Sequence, residues 1–138
     1  MNTKLIRYFG VSLFAAASLC AQGAQKITVQ VPFGFHAGPS MLPAGEYSVD
    51  TEAAPGIVRL RSADSKSAAM IQTNAVQSHT YSSSGKLVFH RYGDEYFLSQ
   101  VWQPGSDTGR ELRVTRREME VAAHTRRGIE PVLANQTK

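Results

Sequence analysis

The chain has 138 residues, with 15 Lys and Arg against 11 Asp and Glu, 42% hydrophobic residues and 19% charged residues. This length suits one domain, and the apolar fraction is that of a globular protein, which excludes a wholly disordered chain. A single cysteine excludes a disulfide framework, and no Cys and His spacing matches a structural zinc site. Composition therefore sets the size and class of the protein and leaves its activity open.

The first 23 residues have the three regions of a Sec-type signal peptide. Lys4 and Arg7 form a basic start, and an apolar stretch of 13 residues follows from Tyr8 to Cys20. An α-helix needs about 20 residues to span a bilayer, so this stretch is too short for a membrane anchor. Small residues at the end of the segment predict cleavage after Gly23. We therefore expect an exported protein, either periplasmic or secreted.

Cys20 raises the alternative of a lipoprotein. Such a site requires a small residue before the cysteine, and this chain has Leu19 there, so we favour ordinary cleavage. A chain that begins at Ala24 contains no cysteine, which suits an oxidising compartment and excludes thiol chemistry.

Residues 24–109 show the alternation of apolar and polar side chains that is typical of half-buried β-strands. The strand signals lie at residues 27–33, 46–51, 56–61 and 69–73. Pro32 cannot donate to a ladder, so the first strand should lie at a sheet edge or end there. The segments 42–45 and 63–66 have turn composition, although Ser65 stands where a turn favours Gly. Residues 79–85 are polar enough to form an exposed loop.

The strongest local signal is a β-hairpin from Lys86 to Trp102. Gly93 and Asp94 suit the central positions of a type II′ turn, because Gly supplies the positive φ. One predicted face pairs Tyr92 with Glu95, His90 with Phe97 and Val88 with Ser99; the other pairs Arg91 with Tyr96, Phe89 with Leu98 and Leu87 with Gln100. Both faces carry large apolar side chains, so we expect the hairpin to be central and covered on both sides.

A helix is predicted after the strands. Thr115 and Glu118 form a capping box, in which the Thr hydroxyl accepts from the Glu118 N–H and the Glu118 carboxylate reaches back. Val114 and Met119 occupy the hydrophobic-staple positions. The apolar face is thin and consists of Met119, Ala122 and Ala123. We therefore expect a weakly docked helix.

The end of the predicted helix is marked by charge and by glycine. Arg126 and Arg127 would lie in its last turn, and Gly128 just beyond it. We predict a helical segment over 110–127 and a flexible tail over 128–138. With the β domain at 24–109, the fold class is mainly β: a small antiparallel β-sandwich or partly open barrel with one C-terminal α-helix.

Three blocks of sequence cover most of the chain after residue 23 and carry a family resemblance. They are Val31-Pro32-Phe33 with Phe35 and Leu42-Pro43-Ala44-Gly45-Glu46-Tyr47-Ser48-Val49, then residues 86–98 through Val101-Trp102, and then Gly109-Arg110-Glu111-Leu112 with the charged helix. In this order they resemble a family of small exported proteins of Acidobacteria and related soil bacteria. The resemblance implies export and a compact β domain, and it assigns no activity.

Catalytic motifs are not found in the sequence. It has no nucleophile elbow with a Ser-His-Asp order, no HExxH, no Walker loop and no GxGxxG after a strand. The histidines are His36, His79, His90 and His124, and their spacing does not predict a metal site. Asp94 and Glu95 are adjacent, so on a strand they would point to opposite faces. We therefore predict no catalytic residues, no metal and no cofactor.

A candidate ligand rim lies around the hairpin. It consists of His90, Arg91, Tyr92, Tyr96 and Trp102, which could grip a small ligand at the end of a barrel. The alternative, which we favour, is a strand end where aromatic rings pack and Arg91 stacks on Tyr96.

The basic residues are concentrated near the C-terminus. Residues 24–109 hold six basic and seven acidic residues, whereas residues 110–138 hold seven basic and four acidic ones. A weak contact with an anionic surface would use Arg116, Arg117, Arg126 and Arg127. Interleaved glutamates and export argue against nucleic acid, and a solvated, salt-bridged helix is the simpler interpretation.

These observations predict a non-enzymatic binding or structural module of the cell envelope, whose partner is an unidentified envelope component or small ligand. The alternative is a barrel-type small-ligand binder, or an enzyme whose residues converge only in the fold.

Overall fold

The computed structural model describes residues 26–135. The predicted signal peptide, its cleavage site after Gly23 and the question of lipidation at Cys20 lie outside the described residues. So does the end of the predicted tail, residues 136–138. The described chain is mainly β with one short helix near its C-terminal end, as the sequence predicts.

Within residues 26–135 the chain forms ten β-strands and one α-helix. In chain order they are β1 (Lys26–Val31), β2 (Phe35–Ala37), β3 (Ser40–Leu42), β4 (Gly45–Ala54), β5 (Ile57–Ser62), β6 (Ala68–Gln77), β7 (Lys86–Tyr92), β8 (Glu95–Trp102), β9 (Thr108–Leu112), α1 (Arg116–Ala122) and β10 (Arg127–Leu133). The predicted loop at 79–85 lies between β6 and β7 and contains no strand.

The ten strands form one open sheet. Its main path runs β1-β4-β5-β6-β9-β8-β2-β3, while β7 pairs with β8 and β10 pairs with β7. Every pairing is antiparallel except the contact between β2 and β8 at His36 and Phe97. An isolated bridge between Val29 and Ala134 brings the end of the described chain beside β1 without closing the sheet into a barrel.

The core lies where the inward faces of the strands meet. β1 buries alternate residues and ends at Val31, immediately before Pro32, as predicted. Phe35 connects two parts of the sheet, because its ring lies 5.3 Å from that of Tyr47 and 5.2 Å from that of Phe89. All three side chains are fully buried. Full burial of one such ring contributes about 1.5–3 kcal/mol, so this aromatic contact is a main source of stability.

The hairpin of β7 and β8 turns at Gly93 and Asp94 as predicted. Gly93 has a φ of 62°, and Asp94 is not among the described non-glycine residues with positive φ, which fits a type II′ turn. Phe89 and Phe97 lie on opposite faces and are 0% and 2% exposed. The prediction that the hairpin is central and covered on both faces is therefore confirmed.

The predicted register is correct only near the turn. The four pairs from Tyr92–Glu95 to Phe89–Leu98 form as expected, but a bulge then shifts the ladder. Val88 pairs with Gln100 instead of Ser99, and Leu87 pairs with Val101 instead of Gln100. The extra residue in β8 restores burial of apolar side chains, because Val101 rather than Gln100 now faces Leu87.

The predicted C-terminal organisation is wrong in three respects. Residues 110–112 belong to strand β9, the helix covers only Arg116–Ala122, and Arg127–Leu133 forms β10 instead of a helix end and flexible tail. Gly128 is consequently not a helix cap, since it lies opposite Arg91 in the ladder between β10 and β7. Gly128 and Pro131 interrupt any regular alternation in this segment, but an edge strand tolerates both residues.

Ser65 adopts the conformation that its turn demands. Its φ is 59°, and it is the one non-glycine residue with positive φ among those described. The turn is held by Asp64, whose carboxylate accepts hydrogen bonds from the Ser62 hydroxyl at 2.5 Å and the Lys66 N–H at 3.0 Å. These hydrogen bonds, rather than a glycine, maintain the turn between β5 and β6.

Gly109 provides a test of the contact between β8 and β9. A Cβ atom at Gly109 would stand 2.7 Å from ring atoms Cδ2 and Cε3 of Trp102, its partner in the ladder. The Trp102 side chain is buried, so Gly109→Ala should lower the free energy of unfolding by about 1–3 kcal/mol. Urea denaturation of the purified chain measures this loss.

Gly34→Ala is the matched control. A Cβ at Gly34 would meet its nearest neighbour, the Leu42 carbonyl oxygen, at 3.6 Å, an ordinary contact. A loss in Gly109→Ala no greater than in this control would contradict the close packing of Trp102.

Candidate functional site

The five residues of the predicted ligand rim do not form one rim. His90 and Tyr92 point to one face of β7, whereas Arg91 and its partner Tyr96 lie on the opposite face. Trp102 is at the other end of the hairpin, opposite Lys86. The structure therefore divides the predicted site into separate contacts.

Arg91 and Tyr96 pack against each other. The guanidinium carbon of Arg91 lies 5.7 Å from the centre of the Tyr96 ring, and its Nε donates to the Gly93 carbonyl at 2.9 Å. The Phe33 ring also stacks on the Tyr96 ring, with 3.7 Å between the two ring centres. The predicted stacking of Arg91 on Tyr96 is confirmed, and the Tyr96 ring is engaged in packing contacts.

Trp102 is also a packing residue. It is 7% exposed, and its indole N–H donates to the Gln100 side chain at 3.1 Å. The ammonium group of Lys86 lies 6.0 Å from the ring centre. These contacts complete the far end of the hairpin.

The remaining two candidates, His90 and Tyr92, converge on one carboxylate of helix α1. Oε1 of Glu118 lies 2.7 Å from Nδ1 of His90 and accepts a hydrogen bond from the Tyr92 hydroxyl at 3.0 Å. Where the Glu118 carboxylate is ionised it can only accept, and the Nδ1–H tautomer of His90 is then the one that donates to it. The side chains of Glu118 and His90 are 6% and 15% exposed. We refer to Glu118, His90 and Tyr92 as the Glu118 cluster.

The capping box explains how Glu118 reaches this position, although it forms only in part. The Thr115 hydroxyl accepts from the Glu118 N–H at 3.2 Å, as predicted. The prediction that the carboxylate reaches back is wrong, because it turns instead to the sheet. The backbone of the first helical turn therefore aims the side chain at the hairpin.

The prediction that the helix docks through a thin apolar face is also wrong. Val114 and Met119, the staple residues, are 53% and 57% exposed, and Ala122 and Ala123 are exposed as well. Within α1 the one buried residue is Glu118. The helix docks through a polar contact, because its few small side chains supply too little apolar area to compete.

A second polar contact lies beside the first. Glu95 accepts a hydrogen bond from Arg117 of α1 at 2.7 Å through Oε1. Its other oxygen, Oε2, lies 3.6 Å from Nε2 of His36 and is buried without a hydrogen-bond partner among the described residues. His36 stacks on Phe97 at 4.4 Å. The adjacent residues Arg117 and Glu118 of α1 thus contact both strands of the hairpin.

The environment of the Glu118 cluster raises the pKa of the Tyr92 hydroxyl. Burial raises the pKa of Tyr92 above its ordinary value, and the hydrogen bond to Glu118 and the negative charge of that carboxylate raise it further. The Arg127 guanidinium acts in the opposite direction. Burial and the charge of Asp64 likewise raise the pKa of Tyr47, whose hydroxyl donates to the Pro43 carbonyl at 2.5 Å.

A carboxylate that orients a histidine is a component of general-base sites. Such a site also needs a cavity in which a substrate meets the free Nε2 atom of the histidine. Three cavities of the described surface are lined by residues 43–47, 62–64 and 67, by residues 117, 120, 121 and 123–125, and by residues 91, 93 and 126–128. None of them includes His90 or Tyr92. The geometry of the Glu118 cluster therefore suits it to holding helix α1 against the hairpin.

The remaining histidines do not converge. His79 and His124 are both exposed. Within residues 26–135, no group of three or more His, Cys, Asp or Glu side chains could hold a metal ion.

The predicted basic surface divides into two groups. Arg116 forms an ion pair with Glu120 at 3.4 Å, and Arg117 with Glu95 at 2.7 Å. Arg126 and Arg127 lie beyond the helix and line a cavity together with Arg91. The prediction that Arg126 and Arg127 lie in the last helical turn is wrong, because α1 ends at Ala122.

The role of Glu118 in the tertiary contact was not predicted from the sequence. A signal was present, because His90 and Tyr92 are two residues apart on a strand and so face the same way. Two polar groups on a face that must be covered require a polar partner. The capping position of Glu118 concealed that it was this partner.

Comparison with known proteins does not assign the chain to a family. No protein-family model matches the chain, and no curated protein and no solved structure matches it. The resemblance to small exported proteins therefore stays a hypothesis. Among the described residues, no helix has the length and apolar character needed to cross a membrane.

Substitution of Glu118 tests the polar docking of the helix. Glu118→Ala should lower the free energy of unfolding by about 2–4 kcal/mol, because it leaves His90 and Tyr92 without their shared acceptor. Thermal and urea denaturation of the purified chain measure the change.

Glu120→Ala is the matched control in the same helix. Glu120 is exposed and forms an ion pair with Arg116 across one turn, so its loss should cost less than about 0.5 kcal/mol. Equal effects of the two substitutions would show that Glu118 does not hold the helix.

Alkaline titration tests the environment of Tyr92. The native state keeps the Tyr92 proton to a higher pH than the unfolded chain, whose tyrosines titrate near pH 10. The stabilisation is therefore complete below about pH 10 and is lost as the pH rises through the native pKa. Tyr92→Phe should make the fall in stability above pH 10 less steep, as measured by urea denaturation across this range.

The control for this titration is Tyr81→Phe, since the Tyr81 side chain is 72% exposed. Phenolate absorbance of the folded protein should show one fewer late-titrating group in Tyr92→Phe than in the parent chain. An unchanged late absorbance would contradict the buried position of the Tyr92 hydroxyl.

Proposed function

We propose that this protein is exported and acts as a non-enzymatic binding or structural module of the cell envelope. The observation that carries the proposal is the Glu118 cluster. Its histidine, carboxylate and phenol are the groups best suited to acid–base chemistry, and they are engaged in holding α1 against the hairpin. None of these three residues lines any of the cavities described above, which supports the same choice.

Export is supported by the N-terminal sequence. Residues 1–23 have a basic start, a short apolar stretch and small residues before the expected cleavage point. The family resemblance of the three sequence blocks also implies export. The chain after Gly23 contains no cysteine, which suits an oxidising compartment.

The alternative role, a barrel-type ligand binder or enzyme, requires a deep cavity lined by the candidate rim. The open sheet and the packing of Tyr96 and Trp102 favour the binding or structural module instead. A module of this kind would present its exposed surface to a partner, while the core and the Glu118 cluster keep that surface rigid.

Export is tested by expressing the full chain with a C-terminal tag in a bacterium and separating cytoplasm, periplasm, envelope and medium. We expect the protein outside the cytoplasm, with an intact mass that corresponds to a start at Ala24. Replacing Gly23 by Arg should block the cut and retain the precursor, because signal peptidases require small side chains there.

Cys20→Ala is the control for lipidation. If cleavage follows Gly23, this substitution leaves the processed product and its mass unchanged. An uncut chain in the cytoplasm would contradict the proposal, and a mass that includes lipid on Cys20 would replace cleavage at Gly23 by a lipoprotein route.

A further inference from the structure

Strand β10 has an open edge. On one side it pairs with β7 over its whole length, and on the other side, among the described strands, it meets β1 at the isolated bridge between Val29 and Ala134. A sheet edge presents unpaired backbone N–H and C=O groups, to which another strand can add. The open edge of β10 is therefore a candidate surface for strand addition.

The hydrogen bonds of the sheet show which residues of β10 face this edge. The Ala134 N–H donates to the Gly85 carbonyl at 2.7 Å, and the ladder between β10 and β7 continues in the register of that pair. Residues of an antiparallel strand alternate between those that bond to one neighbour and those that face the other side. The backbone groups of Arg127, Ile129 and Pro131 therefore point away from β7, towards the open edge.

The same alternation explains why β1 does not cover this edge. The Asn135 N–H, in phase with the three edge residues, donates to the Thr28 carbonyl of β1 at 2.8 Å. The register of that contact would place Pro32 opposite Pro131 further along. Neither proline has an N–H, so the hydrogen bonds of that pair cannot form, and β1 ends at Val31.

The edge strand also carries exposed apolar side chains. Ile129 and Leu133 are 58% and 62% exposed, and Pro131 between them is exposed as well. Edges that are protected against pairing commonly carry lysine, and β10 contains none. An apolar stripe beside free backbone N–H groups is typical of a strand that pairs with another chain.

We propose that β10 pairs antiparallel with β10 of a second copy of this chain, around a twofold axis at Gly128. In this register the N–H and C=O groups of Arg127 bond to those of Ile129 of the second copy, and symmetry repeats the contact. The N–H groups of both residues are then satisfied in both copies. Pro131, which cannot donate, falls beyond the paired residues.

Charge complementarity supports a second copy as the partner. Arg126 and Glu130 form none of the ion pairs within residues 26–135. In the proposed register Arg126 of each copy lies opposite Glu130 of the other, so the axis generates two opposite-charge pairs. Moving the axis to Ile129 or to Glu130 would bring the two Glu130 carboxylates beside each other instead.

The residue on the axis suits this close approach. A glycine within a strand often marks a place where another backbone comes near. Gly128 is exposed, and it leaves space between the two strands for the flanking Arg126 and Glu130 side chains. The overlap is short, so we expect a weak dimer that depends on protein concentration.

This inference goes beyond the proposed function, because self-association is measured on the purified chain and does not depend on export. Sedimentation velocity over a wide range of protein concentration should show a monomer–dimer equilibrium. A chain that stays monomeric at every concentration overturns the proposal.

Substitution of Ile129 tests whether the dimer uses this edge. Ile129→Lys should weaken the dimer about 10-fold or more, because the new ammonium group would face Arg127 of the second copy. The matched control is Met70→Lys, which places the same charge at a similarly exposed apolar position of β6. The control should associate like the parent chain, and equal effects of the two substitutions would exclude the β10 edge.

A cysteine on the axis tests the register. A Cβ atom at Gly128 would meet its nearest neighbours at 3.8 Å, so a side chain is tolerated there. In a Cys20→Ala chain, Gly128→Cys should form a disulfide-linked dimer on mild oxidation, because Cα atoms of such a non-hydrogen-bonded pair are about 4.5 Å apart. Met70→Cys in the same chain is the control, and an equal yield of cross-linked dimer in both would contradict the register.

Exchange of the two charges tests the proposed ion pairs. Arg126→Glu and Glu130→Arg should each weaken the dimer about 3-fold or more, because each brings like charges together at two symmetry-related positions. The combination of both substitutions restores opposite charges and should recover the parental association. Thermal denaturation establishes that each variant is folded at the assay temperature. A double variant that associates no better than the single variants would overturn this contact between the two copies.

Discussion

The carboxylate of Glu118 is the contact that holds helix α1 against the hairpin. A carboxylate buried without partners would cost several kcal/mol, but His90 and Tyr92 both satisfy one of its oxygens. The same contact covers the outer face of the hairpin, where polar groups would otherwise need water. Helix α1 is short, so this polar anchor and the neighbouring pair of Arg117 with Glu95 take the place of an apolar face.

The anchored helix determines where the chain returns to the sheet. After α1 ends at Ala122, the chain passes the hairpin turn and enters β10, which pairs with β7 over seven residues. This return strand covers an edge that would otherwise expose unpaired backbone groups.

The two faces of the hairpin have different roles for a physical reason. Phe89 packs inward against Phe33 and Phe35, at ring distances of 5.0 Å and 5.2 Å, and supplies the apolar area that stabilises the fold. His90 points outward to a covered but polar surface. The bulge opposite Val88 adjusts the register so that apolar residues of β8 continue to face the core. Such a bulge depends on packing across the whole sheet, and local alternation does not reveal it.

The sequence by itself determined the features that depend on neighbouring residues. Alternation predicted β1 and β4 to β6, Gly93 predicted the hairpin turn, and Thr115 predicted the start of the helix, because strand pleat, turn φ angles and capping are local properties. Only the tertiary structure decided the partner of Glu118 and the pairing of β10 with β7. These depend on contacts between segments far apart in the chain, and hydrophobic periodicity carries no information about which distant backbone or charge will lie alongside.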